Sequence, residues 1–172
     1  MDPQLAVLAE IAVGLAGFSS VIVVFRRRGA SGAWEPEDLF RFKIMFEGSL
    51  AAGFFAISPG AFAGLGVSAA VLWPLQSALL LGYLVFDLQR RFRQFASLPT
   101  DSLSPRLAAS MLAGALCVIA LQALNIADLV VSRGAGPYVT GVTWMVVYSG
   151  VMFYRLITAP MTSAHADGPP AA

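Results

Sequence analysis

The residues able to do chemistry in this chain are the few ionisable and amide side chains set inside apolar stretches. Glu10 interrupts LAVLAEIAVGLAGFSSVIVVF (5–25), Glu47 follows Lys43 by one helical turn, and Gln122, Asn125 and Asp128 recur at every third position of an apolar run over 107–131. A charged side chain at the centre of a bilayer costs about 2.5–3.5 kcal/mol on insertion scales, so such groups face protein or water. Glu10 shares a helical face with Ala6, Gly14, Gly17 and Val21, small residues that let helices approach, so this face is expected against a neighbour. If the first and fourth helices run in opposite directions, Glu10 reaches the depth of Asn125 and Asp128. An outer polar cluster of Glu10, Asp128, Asn125 and Gln122 is therefore expected, with Gln76 as a fifth member. Two carboxylates held together in a low dielectric resist ionising together, so they can share a proton or bind a cation between them. The plainer alternative is a hydrogen-bonded clamp between helices, with Asp128 hydrated near the headgroups.

A second, inner layer is expected around Glu47, which either pairs with Lys43 or faces Ser19 and Ser20 at matching depth. Asp87 has Arg90 and Arg91 at i+3 and i+4, the spacing of an interfacial ion pair. Arg155 reads as an anchor, and Trp144, Tyr148 and Tyr154 read as packing and interface residues. Catalysis has little to stand on. The single histidine, His165, lies near the C-terminal end, the single cysteine, Cys117, has no histidine partner, and no nucleotide-binding or serine-hydrolase motif occurs. No catalytic residue, metal or cofactor is expected.

The elements that must position these residues are membrane-spanning helices. Of 172 residues, 58% are hydrophobic and 12% charged, against roughly 25% charged in a soluble domain. The run 5–25 ends at Arg26, Arg27 and Arg28 and has the length, about 20 residues, that crosses a bilayer core. Further spans are expected at 42–65, 71–88, 107–131 and 138–156, the second entered by a helix that starts at Pro36 with Glu37 and Asp38 at its positive end. Pro59 in that span either kinks its outer end or opens a re-entrant segment. Small residues at Gly48, Ala52 and Ala56, and separately at Ser49 and Gly53, predict close packing of this helix on a neighbour, in this chain or another subunit.

Charge sets the threading. Lysine and arginine at 26, 27, 28, 41, 43, 90, 91, 93, 106 and 155 fall on one side and only Arg133 on the other; the positive-inside rule then gives an outside N-terminus and an inside C-terminus. The expected fold is all-α, a polytopic bundle of five transmembrane helices over 1–157, followed by a disordered cytoplasmic tail over 158–172. A net charge of +1 gives no broad cationic field for nucleic acid.

Three stretches, AEIAVGLAGFSSVIVVF (9–25), WEPED (34–38) and FRFKIMFEGSLAAGFFAISP (40–59), resemble a group of small multi-pass bacterial membrane proteins. The resemblance implies an inner-membrane location and carries no activity, cofactor or catalytic residue. Two functions remain open. One is an accessory or structural membrane protein, a homo-oligomer or bound to a membrane-protein partner, with Arg26, Arg27, Arg28, Arg90, Arg91 and Arg93 touching membrane lipids or that partner. The other is a small proton- or cation-handling transporter built on the outer carboxylates, with Glu47 contributing.

Overall fold

The computed structural model describes residues 2–27, 36–95, 105–129 and 134–163. Five helices follow one another: α1 (Pro3–Arg27), α2 (Pro36–Gly64), α3 (Ala69–Phe95), α4 (Pro105–Ala127) and α5 (Ala135–Ser163). The protein is all-α, with no strand among the described residues. Within α2, α3 and α4, the segments Leu39–Gly64, Ala69–Gln94 and Arg106–Ala127 are each long and apolar enough to cross a membrane. Arg28, Trp34, Arg133, His165 and the rest of 164–172 lie outside the described residues, as do the side chains of Ser20, Arg26 and Arg27.

The helix ends follow from local chemistry. α2 runs unbroken through Pro59 and closes at Gly66, whose φ of 83° is a conformation that glycine adopts freely. The Val67 amide donates to the Phe62 carbonyl at 3.2 Å and the Gly66 amide to Ala63 at 2.9 Å, the paired bonds of a Schellman cap. No re-entrant segment forms among the described residues. α4 stops at Ala127, short of the expected 131, because Asp128 takes φ 57° and lets the Leu129 amide reach back to the Leu124 carbonyl at 3.2 Å. α5 instead overruns its expected end and continues to Ser163, into the stretch expected as tail.

The helices wrap one another in a simple order. α1 touches α2, α2 touches α3 and α3 touches α4, while α5 touches all four; among the described residues α1 and α4 do not meet. α5 is thus an axle inside an open arc. Consecutive helices are antiparallel: Glu47 and Ser58 of α2 meet Arg90 and Gln76 of α3, in reversed order along the chain. α1 runs parallel to α5, since Val7 and Leu8 share a groove with Val139 and Thr143 while the Phe18 ring lies 6.4 Å from that of Phe153.

Small residues permit this packing. Gly48 lies where a Cβ would meet Ser149 Oγ of α5 at 2.6 Å, and Gly53 faces the Ala12 methyl of α1 at 3.8 Å. The two small-residue stripes of α2 therefore serve neighbours within the chain. Ala9, Ala12, Ala52, Ala56, Leu80, Val142 and Met145 form the core, while Val7, Val13, Phe18, Phe54, Phe86 and Tyr154 point outward. An apolar exterior around a core that holds buried serine, glutamine and asparagine is the distribution expected where lipid is the solvent.

Candidate functional site

Two polar layers lie inside the bundle, and the outer one begins with a proline. Pro59 has no N–H, so the carbonyl of Phe55, one turn earlier, loses its helical donor. Tyr138, at the start of α5, supplies a replacement: its hydroxyl donates to the Phe55 carbonyl at 2.6 Å. Ser58 Oγ lies 3.2 Å from the same carbonyl and donates to Gln76 Oε1 at 2.9 Å. The proline site of α2 is thereby tied to α3 and α5, and the backbone group that proline strands in an apolar interior is satisfied.

Beside this tie, Asn125 of α4 holds three bonds. Its amide nitrogen donates to Ser77 Oγ at 2.7 Å and to the Gly134 carbonyl at 3.3 Å, while its oxygen accepts from the Gly134 amide at 3.1 Å. Gln122 donates to the Pro137 carbonyl at 2.7 Å. That approach needs Gly141, where a Cβ would stand 2.8 Å from Gln122 Nε2 and 2.7 Å from Leu80 Cδ2. Gln76, Gln122, Asn125 and Tyr138 are all fully buried.

The outer cluster thus contains Gln122, Asn125 and Gln76 as expected, but neither carboxylate. Glu10 and its companions Gly14, Gly17 and Val21 are exposed, and α1 shares no contact with α4 among the described residues. The buried face of α1 is instead Leu5, Ala9, Ala12, Ala16 and Ser19. Alanines on that face allow the same close approach as glycines without carrying a carboxylate into the core. Asp128 is exposed and serves as the left-handed residue that ends α4. Its type tolerates that geometry better than most. Sequence reasoning missed Tyr138, Ser58 and Ser77. The orphaned carbonyl below Pro59 was the available signal.

The inner layer is charged. Glu47 pairs neither with Lys43 nor with Ser19; it accepts from both terminal guanidinium nitrogens of Arg90 on α3, Oε1 at 3.2 Å from Nη1 and Oε2 from Nη2. Ser19 and Ser49 return their hydroxyls to carbonyls of their own helices. Asp87 accepts from Arg90 Nη2 at 3.1 Å and from Arg91 Nε, so the i+3 and i+4 pairing read from sequence forms. Arg91 also lies over the Tyr148 ring at 5.3 Å, a cation–π contact.

These contacts change the reading of the arginines. Arg91 is buried, 8% exposed, and Arg90 keeps 34% of its side chain exposed while two carboxylates engage it. Arg93 is exposed, and Arg28 lies outside the described residues. Cys117 is exposed on α4.

Below the contact between Gly114 and Trp144, α4 parts from α5 and leaves a cavity of about 280 Å³. Leu84, Leu88, Leu112, Met145 and Met152 wall it, and Asp87, Arg91 and Tyr148 stand among its lining residues. One donor there is unmet: Arg91 Nη1 is buried and has no hydrogen-bond partner. Such a group costs about 1–3 kcal/mol in desolvation, more when charged. No family model matches the chain, and no curated protein or solved structure does either.

Proposed function

We propose that the protein is a five-span integral protein of the cell inner membrane, with the N-terminus outside and the C-terminus inside, acting as an accessory or structural helix bundle. The observation that carries this reading is how the interior polar side chains are used. Ser58, Gln76, Ser77, Asn125 and Tyr138 tie helices to one another, and the carboxylates an outer ion site would need lie on α1 (Glu10) and just past the end of α4 (Asp128), helices that share no contact among the described residues. The transporter alternative has no geometric support at that site. Threading is supported by charge: Lys43, Arg90, Arg91, Arg93, Arg106 and Arg155 gather at the end of the bundle where Glu47 meets Arg90.

A homo-oligomer is the form we favour. Glu10 on an exposed helix face is costly against acyl chains, and Gly14 and Gly17 beside it have nothing within 4 Å. A second copy packed on that face would cover the carboxylate and use the glycines for close approach.

The test is reconstitution into liposomes under imposed pH, sodium or potassium gradients, with the same protein cross-linked through Gly14→Cys in a Cys117→Ser background. No flux above empty liposomes and a cross-linked dimer are the expected results. Flux abolished by Glu10→Gln would overturn the accessory reading.

A further inference from the structure

The inner cavity has a chemistry that the bundle's own packing does not use. Its walls are mostly aliphatic and aromatic side chains, and the ion pair of Arg91 with Asp87 stands among them. The volume, about 280 Å³, falls just below the roughly 300–1,000 Å³ of small-molecule pockets, which suits one alkyl chain better than two. Phe92 and Ala109 of the lining are both exposed, so the cavity opens between α3 and α4 on the outward surface of the bundle.

The sign of the occupant follows from the charges already in place. Glu47 and Asp87 are taken up by Arg90 and Arg91, while the exposed charges on the neighbouring turns, Lys43, Arg93 and Arg106, are cationic. The four paired groups cancel in charge, so the exposed lysine and arginines set a positive surround that favours an anion over a cation at the Arg91 guanidinium in the lining. Guanidinium with carboxylate or phosphate is also the strongest class of charge-assisted hydrogen bond in proteins.

We propose that this cavity binds an anionic single-chain amphiphile, its carboxylate or phosphate head on Arg91 and its alkyl chain along Leu84, Leu112 and Met145. Binding needs both parts. Arg91, fixed by Asp87 and by the Tyr148 ring, supplies the head-group donor, and the space left where α4 parts from α5 supplies the slot for the chain.

Trp144 lines the cavity and reports on it. The protein in zwitterionic nanodiscs is titrated with a chain-brominated hexadecanoate, and tryptophan quenching is followed, with Trp144→Phe defining the cavity signal. Saturable quenching is expected, with the methyl ester of the same acid at least tenfold weaker. Ala108→Phe fills the slot without touching the Arg91 contacts and should abolish saturation. Arg91→Gln should weaken the acid at least tenfold and leave the ester unchanged. Should Arg91→Gln fail to fold, Ala108→Phe and the ester still decide the matter. Equal quenching by acid and ester, or quenching indifferent to Ala108→Phe, means bulk lipid contact and overturns the proposal. Saturation by brominated phosphatidylglycerol with none by the free acid overturns it too, because the occupant would then be a two-chain lipid. Titration with a single-chain alkyl phosphate separates the two head groups, and saturation by either anionic head supports the proposal.

Discussion

The two polar layers of the bundle solve different problems. The outer one, around Pro59 and Tyr138, is neutral, fully buried and made of side chains that stand in for missing backbone partners. The inner one, around Asp87, is ionic and borders a cavity. Hydrogen bonds between neutral groups in a membrane interior contribute about 0.6–2 kcal/mol each, enough to fix the ends of helices when several act together. Buried ion pairs gain little over an apolar core but cost much when broken. The neutral layer ties helices to one another, and the charged layer borders the cavity in which we propose a ligand.

Several substitutions break or sharpen that contrast. The largest effect is expected from Asp87→Ala, which leaves Arg91 buried without its carboxylate; about 3–5 kcal/mol should be lost, read from unfolding in mixed detergent micelles. A loss as small as that of a surface pair would show that the inner layer is hydrated. Tyr138→Phe should cost about 1–3 kcal/mol, since it strips the principal donor from a buried carbonyl. That cost should shrink by about half or more in a Pro59→Ala background, because alanine returns a backbone N–H that can serve the Phe55 carbonyl; a double-mutant cycle without coupling would refute this account of the tie. Asn125→Ala should cost about 1–2 kcal/mol, read in the same unfolding assay. Glu47→Gln should cost less, about 0–1 kcal/mol, because Glu47 and Arg90 keep 36% and 34% of their side chains exposed and Arg90 retains Asp87.

Much of this was legible in the sequence where partners are close along the chain. Asp87 with Arg90 and Arg91 is a matter of helical spacing, and the Gly48, Ala52 and Ala56 stripe marks a packing face whatever the neighbour. Gln76, Gln122 and Asn125 are amides in apolar helices and had to turn inward. Glu10 lands outside the cluster because α1 carries two faces of small residues, one position or about 100° apart, and only the identity of the neighbouring helix chooses between them. Glu47 meets a partner on another helix rather than Lys43, a choice that local spacing cannot make. Tyr138 escapes notice because its role depends on a proline in a different helix.

The arrangement of α5 bears on how the chain assembles. Among the described residues α5 alone touches each of the other four, so in the five-span reading proposed above the earlier helices enter the bilayer as a strip of neighbours with no common centre. Ser58 can meet Gln76, and Asn125 can meet Ser77, before α5 is made, but the Phe55 carbonyl and Gln122 gain their α5 partners, Tyr138 and the Pro137 carbonyl, only when the fifth segment arrives. Biogenesis should then show a late, all-or-none gain of protease resistance, timed to the release of that segment from the ribosome.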